Sequence, residues 1–242
     1  MYSGDAFPVS TSEFRLCRTW AFRCMRDVRD QGVLSVPVRL PSTLMIQTVI
    51  LVDYDNVRPS GREGSADVVE QNLGVVVESL AAHVAPYTVG GSKEIEVRLY
   101  GGWLNETAHY TQRGDWMLKR LHVARGLFSG VRVVPVLALA IAECSGQVLR
   151  GLCRSRSGMQ EQKMVDSMIC VDLLHFARQR TGSIFTASDD DDLVPALLSA
   201  SLQSVLPLRL LRHRGAQRGL NDMHLISSRV IIEPLPPALR NQ

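Results

Sequence analysis

Four adjacent aspartates at positions 189–192 are the residues whose type and spacing most directly suggest chemistry in this sequence. They follow Ser188 and a short β-type run, residues 182–187, and they precede an apolar, helix-like run, residues 193–198. Two unit charges about 4 Å apart repel by roughly 4 kcal/mol at an effective dielectric of about 20. Capping of a helix start favours one or two acidic residues but does not need four. The run therefore predicts either a site for a hard divalent cation, which takes oxygen ligands, or a solvated helix cap.

A second acidic group, Asp53-Tyr-Asp55-Asn56, ends another apolar run, residues 46–53. Asp53 follows four apolar residues, and we expect it to be partly buried, where a carboxylate needs a partner or an ion. Asp55 and Asn56 open the loop that follows, and an Asx-rich turn before Pro59 is the alternative interpretation of these two residues.

The third group is Lys163 and Asp166, at the start of a predicted helix over residues 160–178. Residues three apart are neighbours on a helix surface, so a solvent-facing ion pair is the simple interpretation of this pair alone. The three groups together are more specific, because the carboxyl ends of parallel strands meet at one edge of a sheet. The carboxylates that we expect to converge there are Asp53, Asp166, Asp190 and Asp192.

Alternating strand-like and helix-like runs must position these residues. Strands are predicted at residues 46–53, 94–100, 131–137, 182–187 and 205–211. Helices are predicted at residues 67–84, 110–128, 160–178 and 192–201. Strands separated by helices indicate an α/β fold with three layers, in which a mainly parallel central sheet of about five strands carries helices on both faces.

The chain divides into three parts by pattern. Residues 1–44 contain six Arg and no Lys and lack a clear period, and they are predicted to be a poorly ordered N-terminal extension. Residues 45–213 hold the alternating pattern and form the predicted domain. Residues 214–242 are predicted to be a C-terminal segment that packs on the domain or trails it.

Composition narrows the class of protein. The chain has 242 residues, of which 45% are hydrophobic and 21% charged, and this is typical of one globular domain. The net charge of +3 gives no preference for nucleic acid, so a basic surface must be local. Five Cys without a CxxC pair predict no disulfide framework and no zinc site, which favours a reducing, cytoplasmic location. No uncharged apolar stretch reaches about 18 residues, so no membrane partner is predicted.

The order and spacing of the three acidic groups resemble those of NYN domains of the PIN-like nuclease superfamily. These domains show an Asp and an Asn after the first strand, a Lys-x-x-Asp on a later helix, and a final Ser-x-Asp-x-Asp motif followed by an apolar residue and often a proline. The resemblance covers about residues 45–213. One departure is that the spacers of the last motif, commonly small, are Asp189 and Asp191 here. The matching residues are Asp53 and Asn56; Lys163, Asp166 and Asp172; and Ser188, Asp190, Asp192 and Pro195.

The resemblance implies a PIN-like fold and a metal-dependent endoribonuclease that hydrolyses RNA phosphodiester bonds with Mg²⁺ or Mn²⁺. RNA would then be the partner. Asn56 would orient a ligand or the phosphate, and Lys163 would contact the scissile phosphate or offset the acidic cluster. The implied metal ligands and catalytic carboxylates are Asp53, Asp166, Asp190 and Asp192.

Further residues are candidates for binding the RNA backbone, and for each basic group a solvated loop is the alternative interpretation. Ser188 is a candidate for contacting phosphate or for fixing a carboxylate. Trp103 is a candidate for base stacking, although packing is the favoured role. The basic candidates upstream of Lys163 are Arg150, Arg154 and Arg156, and those after the fifth predicted strand are Arg212, His213, Arg214 and Arg218.

Two other functions stay open at this level. The same fold without efficient catalysis would be an RNA-binding or protein-binding domain. A small-molecule phosphohydrolase is also possible, because the pair formed by Asp53 and Asp55 resembles the aspartate pair of aspartate-nucleophile phosphatases. It is the weaker alternative, because Asn56 and the Lys-x-x-Asp spacing fit the nuclease family better.

Overall fold

The computed structural model describes residues 48–59, 63–88, 94–105, 109–128, 130–142, 164–179, 182–213 and 229–240. Over these residues the chain is α/β, and seven strands form one mainly parallel sheet. The strands are β1 (Thr48–Asp53), β2 (Glu94–Tyr100), β3 (Gly126–Phe128), β4 (Val131–Leu137), β5 (Ile184–Ala187), β6 (Leu208–Arg212) and β7 (Val230–Pro234). The helices are α1 (Tyr54–Val57), α2 (Ala66–Val84), α3 (Gln112–Arg120), α4 (Val165–Arg178) and α5 (Val194–Ser201).

The strand order is β3-β4-β2-β1-β5-β6-β7, and every neighbouring pair is parallel except β3 with β4. From β1 the chain moves outward through β2 to β4 and then returns to place β5 on the other side of β1. The direction of winding therefore reverses between β1 and β5. In open α/β sheets, ligand sites lie in the crevice outside the carboxyl ends of the strands at such a reversal.

Strand β1 is buried along its whole length and supplies side chains to both layers of core. Ile50 and Val52 belong to the core beneath α2 and α3, whereas Val49 and Leu51 belong to the core beneath α4 and α5. This alternation follows from the two-residue period of a strand and explains why the run is apolar without interruption. Helices cover both faces, so the predicted three-layer arrangement is the one that the structure has.

Local sequence starts two of the helices. The Ser65 hydroxyl accepts a hydrogen bond from the Val68 amide at the start of α2, and the Thr111 hydroxyl accepts one from the Gly114 amide at the start of α3. Next to α3, Trp103 is fully buried, and its indole N–H donates to the Leu99 carbonyl at 2.9 Å. Trp103 therefore packs in the core and does not stack a base.

The sheet has two more strands than the five that the sequence predicts. The predicted helix over residues 110–128 is wrong in its second half, because the helix ends at Arg120 and Gly126–Phe128 forms an antiparallel edge strand instead. Leu127, which supported the helical period, is 76% exposed on that edge. Strand β6 begins at Leu208 rather than 205, directly after Pro207, whose ring nitrogen cannot donate a ladder hydrogen bond.

The segment after residue 213 contributes to the sheet. Val230–Pro234 pairs in parallel with β6 as strand β7, and the Leu235 amide donates to the Arg212 carbonyl at 2.8 Å. The predicted extension over residues 1–44 lies outside the described residues. Among the helices that the structure describes, none is long and apolar enough to cross a membrane.

Candidate acidic site at the carboxyl edge of the sheet

The end of β1 and the end of β5 are joined through one carboxylate. Asp53 is the last residue of β1, and Ser188 directly follows β5. The Ser188 hydroxyl donates to Asp53 Oδ2 at 2.8 Å, and the Asn56 side-chain amide donates to the same oxygen at 2.5 Å. These contacts place Asp53 at the point where the winding of the sheet reverses, with a fixed carboxylate orientation.

The environment of Asp53 opposes its ionisation. The residue is 3% exposed, and burial raises the pKa of its carboxyl to about 6. Hydrogen bonds from Ser188 and Asn56 act in the opposite direction, while the negative charges of Asp166 and Asp55 raise the pKa further. Asp166 is therefore close enough to Asp53 to interact with it electrostatically, although the two residues come from different elements.

Asp166 lies in the first turn of α4, where the helix dipole favours a negative charge. The helix packs against β1 and against a 3₁₀ turn, Asp191–Leu193, which precedes α5. Its N-cap residue Met164 has a φ of 70°, and among the described non-glycine residues it alone has a positive φ. Such backbone strain is found preferentially at functional sites.

Cys170 lies one helical turn after Asp166, and its thiol is influenced by Asp166 and by two residues of the aspartate run. Burial raises the pKa of the Cys170 thiol, and the charges of Asp166, Asp190 and Asp192 raise it further. These three carboxylates thus share one neighbourhood, and Asp166 links that neighbourhood to Asp53. The convergence of all four carboxylates at one metal site stays a prediction, because the described contacts show only that Asp166 acts on Asp53 and that Asp166, Asp190 and Asp192 act on Cys170.

The aspartate run also contains ordinary capping contacts. The Asp190 amide donates to the Ser188 hydroxyl at 3.0 Å, and Asp190 Oδ1 accepts from the Asp192 amide at 2.9 Å, which caps the 3₁₀ turn. The capping interpretation is therefore confirmed for Asp190, and the metal-site interpretation of the run stays a prediction. Ser188 itself is fully buried between Asp53 and Asp190, so it positions a carboxylate and is not placed to contact phosphate.

The other two aspartates of the run have a different partner. Arg212, the last residue of β6, is 2% exposed, and its NH2 group donates to the Asp189 carbonyl at 2.7 Å and to Asp191 Oδ1 at 2.6 Å. The His213 amide donates to Asp189 Oδ1 at 2.8 Å, and the His213 ring lies 3.2 Å from the Asn56 carbonyl. Arg212 is therefore neither a phosphate-binding residue nor part of a solvated loop, the two alternatives from the sequence, because its side chain is buried and one terminal nitrogen already donates to the aspartate run.

Asp172, which matches the second acidic position on the helix, lies in a separate buried network. Its carboxylate accepts from the Tyr100 hydroxyl and the Ala142 amide, both at 2.6 Å, and pairs with Arg98 at 3.2 Å. This network ties α4 to the ends of β2 and β4. Several candidates cannot be placed, because they lie outside the described residues: Lys163, Arg150, Arg154, Arg156, Arg214 and Arg218.

Sequence reasoning missed a second charged cluster at this edge of the sheet. Glu63 accepts from Arg113 Nε at 2.6 Å and from the Tyr54 hydroxyl at 2.7 Å. Arg113 also pairs with Asp55 at 2.7 Å and lies over the rings of Tyr54 and Trp103. Asp55 therefore belongs to this cluster. No local pattern marks Glu63, because its partners come from three separate elements.

The donor set suits a hard divalent cation in its chemistry. Mg²⁺ prefers carboxylate oxygens, usually keeps several waters and is often held by only one or two carboxylates. Within the described residues, Asp53, Asp190 and Asp192 form no ion pair that would compensate their charge. Nor does the described part of the chain gather three His, Cys, Asp or Glu side chains into a cluster that could hold a metal directly. A divalent cation held here would therefore have to keep several waters, and the Mg²⁺ or Mn²⁺ site stays a prediction.

Fold and site together define a mainly parallel α/β protein with acidic side chains at the carboxyl edge of its sheet, near the point where the winding reverses. Comparisons with protein-family models, with curated proteins and with solved structures found no match to this chain. The resemblance to NYN domains therefore rests on the sequence motifs alone.

Proposed function

We propose that this protein is a metal-dependent endoribonuclease that hydrolyses RNA phosphodiester bonds with Mg²⁺ or Mn²⁺. The observation that carries the proposal is the buried Asp53 carboxylate at the reversal point between β1 and β5, which Ser188 and Asn56 hold by hydrogen bonds and which the charge of Asp166 influences. The sequence resemblance supplies the substrate class, and the cysteine content supplies a cytoplasmic location as part of the same proposal.

The residues have distinct roles in this proposal. A bound divalent cation would supply an activated water nucleophile and would neutralise negative charge on the phosphate. Asp53 offers a carboxylate whose orientation is fixed by hydrogen bonds to Oδ2 from Ser188 and Asn56. Asp166, Asp190 and Asp192 add negative charge at a solvent-accessible edge. Preorganised charge of this kind acts without reorganisation during the reaction.

Cleavage of RNA in Mn²⁺ or Mg²⁺ tests the proposal directly. We expect wild type to cut single-stranded or structured RNA with either metal and to stop cutting in excess EDTA. Asp53→Asn and Asp190→Asn should each abolish cutting. The matched control is Glu78→Gln, which removes an exposed carboxylate in the middle of α2. Undiminished cleavage by Asp190→Asn would overturn the proposal.

A domain that binds RNA or protein without efficient catalysis is the second candidate. The observation that favours it is the absence, within the described residues, of three ligand side chains grouped tightly enough to hold a metal. Calorimetric titration of Mn²⁺ and an RNA-binding assay, run beside the cleavage assay, separate the candidates. RNA binding without metal-dependent cleavage would favour the second.

A small-molecule phosphohydrolase is less well supported. That chemistry would use Asp53 as nucleophile with Asp55 beside it. Asp55 is engaged instead by Arg113 at 2.7 Å and Arg58 at 3.4 Å. We expect no aspartyl-phosphate at Asp53 when the protein is incubated with acetyl phosphate and examined by mass spectrometry.

A further inference from the structure

We infer that Arg212 is a positioning residue that sorts the four aspartates, holding Asp189 and Asp191 on its own side so that Asp190 and Asp192 face the candidate site. This inference rests on the proposed function and names a residue that neither the motif nor the resemblance marks. It also gives a role to Asp189 and Asp191, which stand where the motif commonly has small spacers, because both contact Arg212.

The contacts of Arg212 are the first step. One terminal nitrogen reaches both the backbone carbonyl of Asp189 and the carboxylate of Asp191, and the Nε group lies 3.7 Å from Asp189 Oδ1. That Nε is buried and has no hydrogen-bond partner among the described residues. A planar guanidinium can hold two positions of a turn at once, whereas a lysine ammonium acts as a point charge.

Alternation along the turn is the second step. Asp189 and Asp191 contact Arg212, while Asp190 and Asp192 are linked to each other through the cap of the 3₁₀ turn. The charges of Asp190 and Asp192 act on Cys170 of α4, on the side where Asp166 lies. Arg212 therefore contacts two of the four aspartates, Asp189 and Asp191, and its described contacts do not include Asp190 or Asp192.

Arg212 itself is held firmly by the sheet. The Leu235 amide donates to its carbonyl at 2.8 Å, and the amide of Ser188 donates to the Leu211 carbonyl at 3.2 Å. Strand β6 thus fixes the guanidinium relative to the end of β5. Contacts to a rigid element are what orient ligand side chains precisely in built sites.

The direction in which Mn²⁺ affinity changes on replacing Arg212 tests the inference. A positive guanidinium beside a group of carboxylates weakens cation binding to them through Coulomb repulsion. If Arg212 acted only through its charge, Arg212→Met would bind Mn²⁺ more tightly and Arg212→Lys would bind it as wild type does. A positioning role predicts weaker binding in both variants, because the turn loses the two contacts that keep its carboxylates apart.

The experiment measures Mn²⁺ affinity by calorimetry and amide hydrogen exchange by NMR on the full chain. We expect the Mn²⁺ dissociation constant to rise at least fivefold in Arg212→Lys and further in Arg212→Met. The Asp190 and Asp192 amides should exchange at least tenfold faster, since their acceptors lie within the turn. The matched control is Arg209→Lys on the same strand, which replaces the guanidinium that pairs with Glu233 by an ammonium and should leave Mn²⁺ affinity within twofold.

Each outcome decides the question. Unchanged or tighter Mn²⁺ binding in the folded Arg212 variants overturns the inference, even if amide exchange accelerates. If the Arg212 variants do not fold, Asp191→Ala replaces them, because the Asp191 side chain is 52% exposed. Unchanged exchange of the Asp192 amide in that variant also overturns the inference. If wild type binds no Mn²⁺, the proposed function fails, and amide exchange alone decides whether Arg212 orders the turn.

Discussion

Replacing Asp53 by Asn should stabilise the metal-free protein at neutral and higher pH. Burial raises the pKa of the Asp53 carboxyl from its ordinary 3.8 to about 6. At about 1.36 kcal/mol for each pKa unit, ionising this group in the folded state costs about 3 kcal/mol relative to the unfolded chain. Asn has nearly the same shape and can accept the hydrogen bonds from Ser188 and Asn56, but it carries no charge.

The pH dependence has a definite sign. The pKa is higher in the folded state, so the stabilising contribution of protonated Asp53 is complete below about pH 4 and is lost as the pH rises through 6. Roughly half of the 3 kcal/mol is lost between pH 5 and pH 8, where the protein can be studied conveniently. We therefore expect the advantage of Asp53→Asn to grow by about 1.5 kcal/mol across that interval.

Urea denaturation in EDTA at several pH values between 5 and 8 measures this difference. Glu78→Gln is the control for the loss of one exposed carboxylate and should show no comparable trend. Addition of Mn²⁺ at 100 times its dissociation constant should stabilise wild type by about 2.7 kcal/mol and leave Asp53→Asn unaffected. A parallel pH dependence for wild type and Asp53→Asn would refute the reasoning, because it would mean that Asp53 ionises freely.

Other consequences of the structure can be checked by the same denaturation assay. Ser188→Ala should lower the free energy of unfolding by about 1–3 kcal/mol, because the buried Asp53 carboxylate and the half-buried Asp190 amide both lose a partner; no change would mean that water replaces the hydroxyl. Gly74→Ala should stabilise α2 by about 0.5–1 kcal/mol, since nothing lies within 4 Å of an added Cβ. Gly114→Ala should instead destabilise the protein, since its Cβ would collide with the backbone carbonyl of Trp103; equal effects of the two glycine substitutions would contradict this packing.

Some strands could be predicted to the residue from the sequence. Glu94–Tyr100 alternates apolar and charged side chains, and Val131–Leu137 is a short β-branched run, so both have the patterns that pairing in a sheet requires. Gly126–Phe128 could not be predicted, because three residues carry no period of their own. It is a strand only because β4 offers an edge to pair with, and that edge exists only in the folded chain.

The candidate acidic site could likewise be predicted from the sequence only in part. The position of Asp53 followed from a buried strand ending in a carboxylate, and the convergence with Asp190 followed from parallel topology. The pairing of Asp189 and Asp191 with Arg212 could not be predicted, because that arginine is more than 20 residues away on another strand. Arginines after a strand look alike in sequence whether they meet phosphate or a carboxylate.

The energetics of the run argue against a purely structural role for all four carboxylates. Arg212 compensates Asp189 and Asp191, and a helix start is adequately capped by Asp190 alone. Asp53 remains buried at a cost of about 3 kcal/mol in ionised form, which is a large fraction of the 5–15 kcal/mol that stabilises an ordinary domain. An Asn at position 53 would join β1 to β5 through the same hydrogen bonds to its side-chain oxygen without that cost. Under the proposed function, a cation bound at the reversal point of the sheet would return this lost stability, which is why Mn²⁺ should stabilise wild type and not Asp53→Asn.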